Sequence, residues 1–180
     1  MLSTPFLELR PLDEASGLVT VVIDTPRGSR NKYKIDEKLG AFKLSRMLPE
    51  GHAFPFDFGS IPRTRAEDGD ALDVMVLMDE PTFPGCLLQV RLIGVLTGTQ
   101  SERRKTIRND RLLGVPETEV NQPAVKKISD VNPERLKEIA HFFVSYNEMH
   151  GRRFKPGRPK GPREAEKRLR AAMKRFSRPG

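Results

Sequence analysis

The chain has 180 residues, 37% hydrophobic and 31% charged, with a formal net charge of +8. That length supports one ordinary core rather than two full-sized domains, and no apolar run approaches the roughly 20 residues of a membrane-spanning helix. The positive charge is confined: residues 151–180 hold 12 Lys or Arg against 2 Glu, leaving 20 basic and 22 acidic side chains in residues 1–150. The body therefore lacks the diffuse basic surplus of a nucleic-acid-binding fold.

The opening MLSTPFLELRPLDE has neither a basic leader nor a sustained apolar run, which predicts no secretory signal. Cys86 is the only cysteine, so no intrachain disulfide can form and a reducing, cytoplasmic setting is expected. Residues 18–24 (LVTVVID) are dense in β-branched side chains and stop at Thr25-Pro26, which predicts a strand. KYKID at 32–36, a turn at 38–41 and FKL at 42–44 predict a hairpin. Prolines recur too often between 49 and 62 for a helix, and Phe54, Phe56 and Phe58 share strand parity, so their rings should pack on one face.

Residues 72–78 and 87–96 are the strongest predicted strands, parted by the breaker-rich DEPTFPG. Two shorter strands are expected at 111–115 and 124–128. The polar, non-periodic stretch 100–110 is expected to be a surface loop. Asn132-Pro133-Glu134 offers a capping side chain, a proline at the first helical position and an early acid, and apolar residues at helical spacing carry this helix to about Gly151. KPGRPKGP at 155–162 reads as a linker and 163–176 as a basic helical segment, the two together forming a solvated, partly helical appendage. The fold class is thus α+β and mainly β, a small barrel in residues 1–150 with helices outside it and a basic appendage at 151–180.

The segment EDGDALDV places Asp68, Asp70 and Asp73 within six positions at the entrance to a strand. Such crowding is self-repelling without a cation, and Gly69 permits the tight turn that lets the first two carboxylates converge. Hard oxygen donors of this kind suit Mg²⁺ or Mn²⁺. An acidic, solvated turn is the alternative reading of these residues alone.

The remaining blocks narrow the choice. Read in order, VVIDTP, KYKID, FKLSR, FPFDFGSIP, DGDALDV, GCLLQVRLIGVL, RLLGVP, ISDVNP and EIAHFFVSYNEM make the chain, from about residue 19 to 146, resemble the family I soluble inorganic pyrophosphatases. The resemblance implies a five-stranded OB-like closed barrel with flanking helices, and Mg²⁺-dependent hydrolysis of pyrophosphate to two phosphates by metal-activated water. It also implies, by analogy with bacterial members, a homohexamer. It assigns Asp70 as general base, Asp68 and Asp73 as metal ligands, Asp24 as a carboxylate organising the metals, and Lys32, Arg46, Arg111 and Tyr146 as phosphate contacts.

The sequence also departs from the family pattern. Asn109 falls on a metal aspartate, with Asp110 beside it as a candidate replacement ligand. Gln100 falls near another, with Glu102 as a stand-in. Lys34 replaces a glutamate, Ser60 and Phe54 replace tyrosines, Asn147 replaces a lysine, and Ala71 follows the second aspartate in place of proline or glutamate. These changes make the pocket more positive. They keep open hydrolysis of another small phosphoanhydride, or a non-catalytic phosphate-ligand or RNA-binding role in which the basic tail would contact nucleic acid.

Overall fold

The computed structural model describes residues 5–36, 39–117 and 125–177. After a single helical turn, α1 (Pro5–Glu8), the chain forms strands β1 (Val19–Thr25), β2 (Asn31–Asp36), β3 (Ala41–Met47), β4 (Asp57–Ile61), β5 (Leu72–Val76), β6 (Leu87–Glu102), β7 (Lys105–Arg108) and β8 (Arg111–Pro116). A short 3₁₀ turn (Ile128–Asp130), helix α2 (Pro133–Glu148), strand β9 (Arg153–Lys160) and helix α3 (Pro162–Phe176) follow. Five strands close a ring: β1 pairs β4, β4 pairs β5, β5 pairs β8 in parallel, β8 pairs β6, and β6 returns to β1. Closure satisfies both edges of every ring strand.

Alternation along the strands serves two cores. Met75 and Leu113 enter a cluster with Phe54, Phe56, Phe58 and the α2 residues Ile139 and Phe143. Their neighbours Val74, Val76 and Leu112 enter a second cluster with Val21, Ile23 and the α3 residues Ala165, Leu169 and Ala172. One helix therefore covers each side of the β5–β8 wall, as the period of two requires when both faces are dry. The three phenylalanines do share one cluster. Helix α2 starts where expected, with the Asn132 side chain accepting a hydrogen bond from the Glu134 amide at 2.9 Å.

Three expectations are corrected. Residues 100–110 are not a loop: β6 runs on to Glu102, turns at Arg103 with φ of 54°, and returns as β7. This arm projects past the ring, where both faces are wet, so no apolar alternation marks it. The stretch 155–162 is not a linker, because β9 pairs along β6 from Ser101 to Val95. Pro156 and Pro159 are tolerated because β9 has β6 as its only partner strand among the described residues and needs no amide on its other side. Helix α3 is not a solvated appendage, since Ala165, Leu169 and Ala172 at spacings of four and three are fully buried. Lys38 of the expected turn and Ala124 of the expected 124–128 strand lie outside the described residues; Val125 to Lys127 lead without strand pairing into the 3₁₀ turn. Among the described residues, no helix is long and apolar enough to cross a membrane.

Candidate active site

A cleft of about 410 Å³ opens between the β2–β3 hairpin, the entrance of β5, the β6–β7 arm and the end of α2. Its carboxylate wall is built locally. Gly69, at φ of 92°, turns the chain so that the Asp70 amide donates to Asp68 Oδ1 at 3.1 Å. The buried Thr64 hydroxyl accepts from the Leu72 amide at 2.9 Å and pins the start of β5. Because Leu72 and Val74 are buried, Asp73 between them points to the opposite face and lines the cleft. Asp24, near the end of β1, completes the wall from below at 8% exposure.

The cradle facing this wall is cationic. Tyr33, on β2, donates its amide to Thr25 Oγ1 at 3.0 Å, which fixes the hairpin against β1 and places Lys32, Lys34 and Arg46 over the cleft. Lys32 Nζ and Arg46 Nη1 both donate to the Tyr146 hydroxyl oxygen, at 3.3 and 3.4 Å. Lys32 also stands 5.4 Å from the Tyr146 ring centre and 5.7 Å from that of Phe58. Arg111 lies buried between Phe58 and Phe143, bonds the Asn109 carboxamide and pairs with Asp73 at 3.1 Å. Its Nε is buried without a partner among the described residues, an N–H that an anionic ligand oxygen would satisfy.

The electrostatics follow from this crowding. Burial, reinforced by the neighbouring Asp73, raises Asp24 to about 7, against weaker opposing effects of the Ser60 hydrogen bond and of Lys32 and Lys34. Asp68 is raised too, by burial and then by Asp73 and Asp70, with its bond to the Asp70 amide and the field of Arg111 opposing. Burial alone would lower Lys34, but its bond to Asp70 at 2.6 Å and the fields of Asp70, Asp73 and Asp68 outweigh that and raise it.

Eight of the nine residues expected at the site meet in this cleft: Asp24, Lys32, Arg46, Asp68, Asp70, Asp73, Arg111 and Tyr146. Asp110 does not. Its carboxylate is turned into the protein, accepting from the Gly98 amide at 3.1 Å and from Arg168 Nε of α3 at 2.7 Å. Asn109 faces the cleft instead and donates to Gln100 at 2.6 Å, while Glu102 is held by Arg152 at 2.9 Å. Lys105, on the β6–β7 arm, and Arg152, between α2 and β9, also line the cleft and were not anticipated, because neither segment carries a sequence periodicity. Arg168 was also missed, although the small and apolar residues at 165, 169 and 172 already marked one face of its helix for burial.

The donor set suits a hard divalent cation, since four aspartate carboxylates share one wall and Asp24 and Asp68 have no ion pair among the described residues. As placed, no three His, Cys, Asp or Glu side chains of the described residues stand close enough to share an ion.

A closed barrel with a cleft that sets carboxylates against a Lys–Arg–Tyr cradle defines a protein that handles small phosphate compounds with the help of a hard cation. Comparison with known proteins agrees. A family model described as inorganic pyrophosphatase matches residues 21–177. The inorganic pyrophosphatase of Synechocystis sp. is 42% identical over 139 residues, covering 77% of this chain and 80% of the relative. That of Geobacillus stearothermophilus is 38% identical over 160 residues, covering 89% and 94%. The crystal structure of the Thermus thermophilus inorganic pyrophosphatase superposes with a TM-score of 0.85 at 36% identity, covering 96% of this chain and 99% of that one. The chain belongs to the inorganic pyrophosphatase family, whose members use a divalent metal.

Proposed function

We propose that this cleft hydrolyses inorganic pyrophosphate to two phosphates, with Asp70 as general base and with Asp24, Asp68 and Asp73 as the carboxylates from which Mg²⁺ or Mn²⁺ would draw its protein ligands. The observation that carries this reading is the meeting of those carboxylates with the Lys32–Arg46–Tyr146 cradle in one cleft. Pyrophosphate is a compact polyanion, and Lys32, Arg46 and Arg111 gather its oxygens, the guanidinium forks by paired N–H groups. The Tyr146 oxygen already accepts from Lys32 and Arg46, so its own O–H is left to donate to the substrate. Lys34 engages only Oδ2 of Asp70, leaving Oδ1 to take the proton of the attacking water. A divalent cation at the carboxylate wall supplies neutralisation of the leaving phosphate and acidifies the attacking water.

The test is phosphate release from pyrophosphate with and without Mg²⁺, run beside Asp70→Asn. The wild type releases phosphate only with the cation, and the variant is slower by about 10²–10⁴-fold, the range of a lost general base. An unchanged rate in Asp70→Asn removes Asp70 from its role. Tripolyphosphate and a nucleoside triphosphate in the same assay separate pyrophosphate from other small phosphoanhydrides. The resemblance to bacterial pyrophosphatases also supports a homohexamer, and the absence of a second cysteine supports a cytoplasmic setting.

A further inference from the structure

The charges of the cleft are sorted by wall. Asp24, Asp68, Asp70 and Asp73 all come from β1 and the approach to β5. The opposite wall, from β6, β7 and β8, offers the neutral pair Gln100 and Asn109 and the guanidinium of Arg111. Its one cleft-facing carboxylate, Glu102, is already tied to Arg152. An ion bridging the two walls would therefore find free anionic donors on one side alone.

Two cations of the protein already stand against carboxylates of the acidic wall. Lys34 Nζ, carried in on the separate β2–β3 hairpin, is 2.6 Å from Asp70 Oδ2. Arg111 spans the gap between the walls, pairing with Asp73 at 3.1 Å while bonding Asn109. Each occupies a carboxylate oxygen and cancels a charge that would otherwise attract a divalent ion. Asp24 and Asp68 are the cleft aspartates left without an ion pair among the described residues.

Resting on the reading of this cleft as a pyrophosphate site, we propose that Lys34 and Arg111 are built-in counter-cations standing in for part of a divalent-ion cluster. The free protein then takes up one divalent ion at the carboxylate wall, and Lys34 excludes a second from Asp70. Lys34 is a positioning residue in this scheme, acting through the carboxylate it holds.

Equilibrium dialysis with Mn²⁺ alone, the free ion counted by electron paramagnetic resonance, tests this on the full chain without turnover. The wild type and Lys34→Arg are expected to bind one Mn²⁺ per chain. Lys34→Gln is expected to bind a second, and to hold Mn²⁺ about tenfold or more tightly, as removal of an adjacent unit charge implies. The Lys34 side chain is 44% exposed on a hairpin, and circular dichroism reports whether each variant is folded. Lys34→Met supplies the same comparison if Lys34→Gln does not fold. Two or more Mn²⁺ on the wild type, equal binding by wild type and the charge-removing variants, or Lys34→Arg behaving like Lys34→Gln each overturns the proposal. Failure of the wild type to hydrolyse pyrophosphate counts against the function alone, because ion binding is read independently.

Discussion

Asp24 is a buried carboxyl that the metal-free fold prefers protonated, and this makes a pH signature. Its folded value of about 7 lies above the ordinary 3.8, so between those values the folded chain keeps a proton that the unfolded chain has lost. The associated stability is complete below about 3.8 and is lost as pH rises through about 7. Asn at this position is neutral throughout. In the absence of divalent ions, wild-type stability relative to Asp24→Asn is therefore expected to fall by about 2–3 kcal/mol between pH 5 and pH 8. Urea unfolding of both proteins at the two pH values measures it, and a pH-independent difference refutes the buried protonated form. The same residue scale shows what sequence could reveal. Asp68, Asp70 and Asp73 were legible because a glycine turn and a strand entrance fix where they point. Asp110 was not, because a step of one residue at the start of a strand reverses the face, and sequence does not say whether Asn109 or Asp110 looks into the cleft.

Among the elements, β1, β5, β8 and the ring part of β6 announce themselves by apolar content, since the barrel dries both faces of its strands. The β6–β7 arm and β9 are held by backbone hydrogen bonds along wet surfaces and leave no such pattern. Gly98 shows how closely this arm is nevertheless fitted: a Cβ there would collide with the Phe154 ring of β9. Helix α3 was expected as a helix, but its burial was masked by its charge, although its buried stripe seals the second core against Val74, Val76 and Leu112. Leu169→Ala is therefore expected to destabilise the protein by about 2–5 kcal/mol, the range for deleting a buried leucine side chain, in a denaturant titration. A change below about 0.5 kcal/mol, the size of an exposed surface substitution, would mean that α3 does not pack as described.

Over the whole molecule, the uneven charge of the chain becomes a matching of parts. The basic C-terminal segment pairs with acids of the body: Arg152 with Glu102, Arg168 with Asp110, Arg170 with Glu14 and Arg175 with Glu67. Most of these pairs are exposed and worth little individually, but Arg168–Asp110 is largely buried, at 19% and 6% side-chain exposure. Several large apolar side chains remain outside, among them Leu44 and Met47 on β3 and Phe83, side chains of the kind that an assembly such as the proposed hexamer covers. Light scattering on the 20.4 kDa chain is expected to give a mass of about six chains, and a monomer mass would refute the assembly.

The late position of α3 also governs how the protein is born. A nascent chain released as far as Pro116 has already presented every cleft carboxylate and all five ring strands, yet the side of the barrel that receives Leu169 and Ala172 remains bare. Asp110 likewise waits for its guanidinium until residue 168 has left the ribosome. Hydrolytic competence should thus arrive late in synthesis, while prematurely terminated products would display a greasy barrel face to the cell's proteases and chaperones.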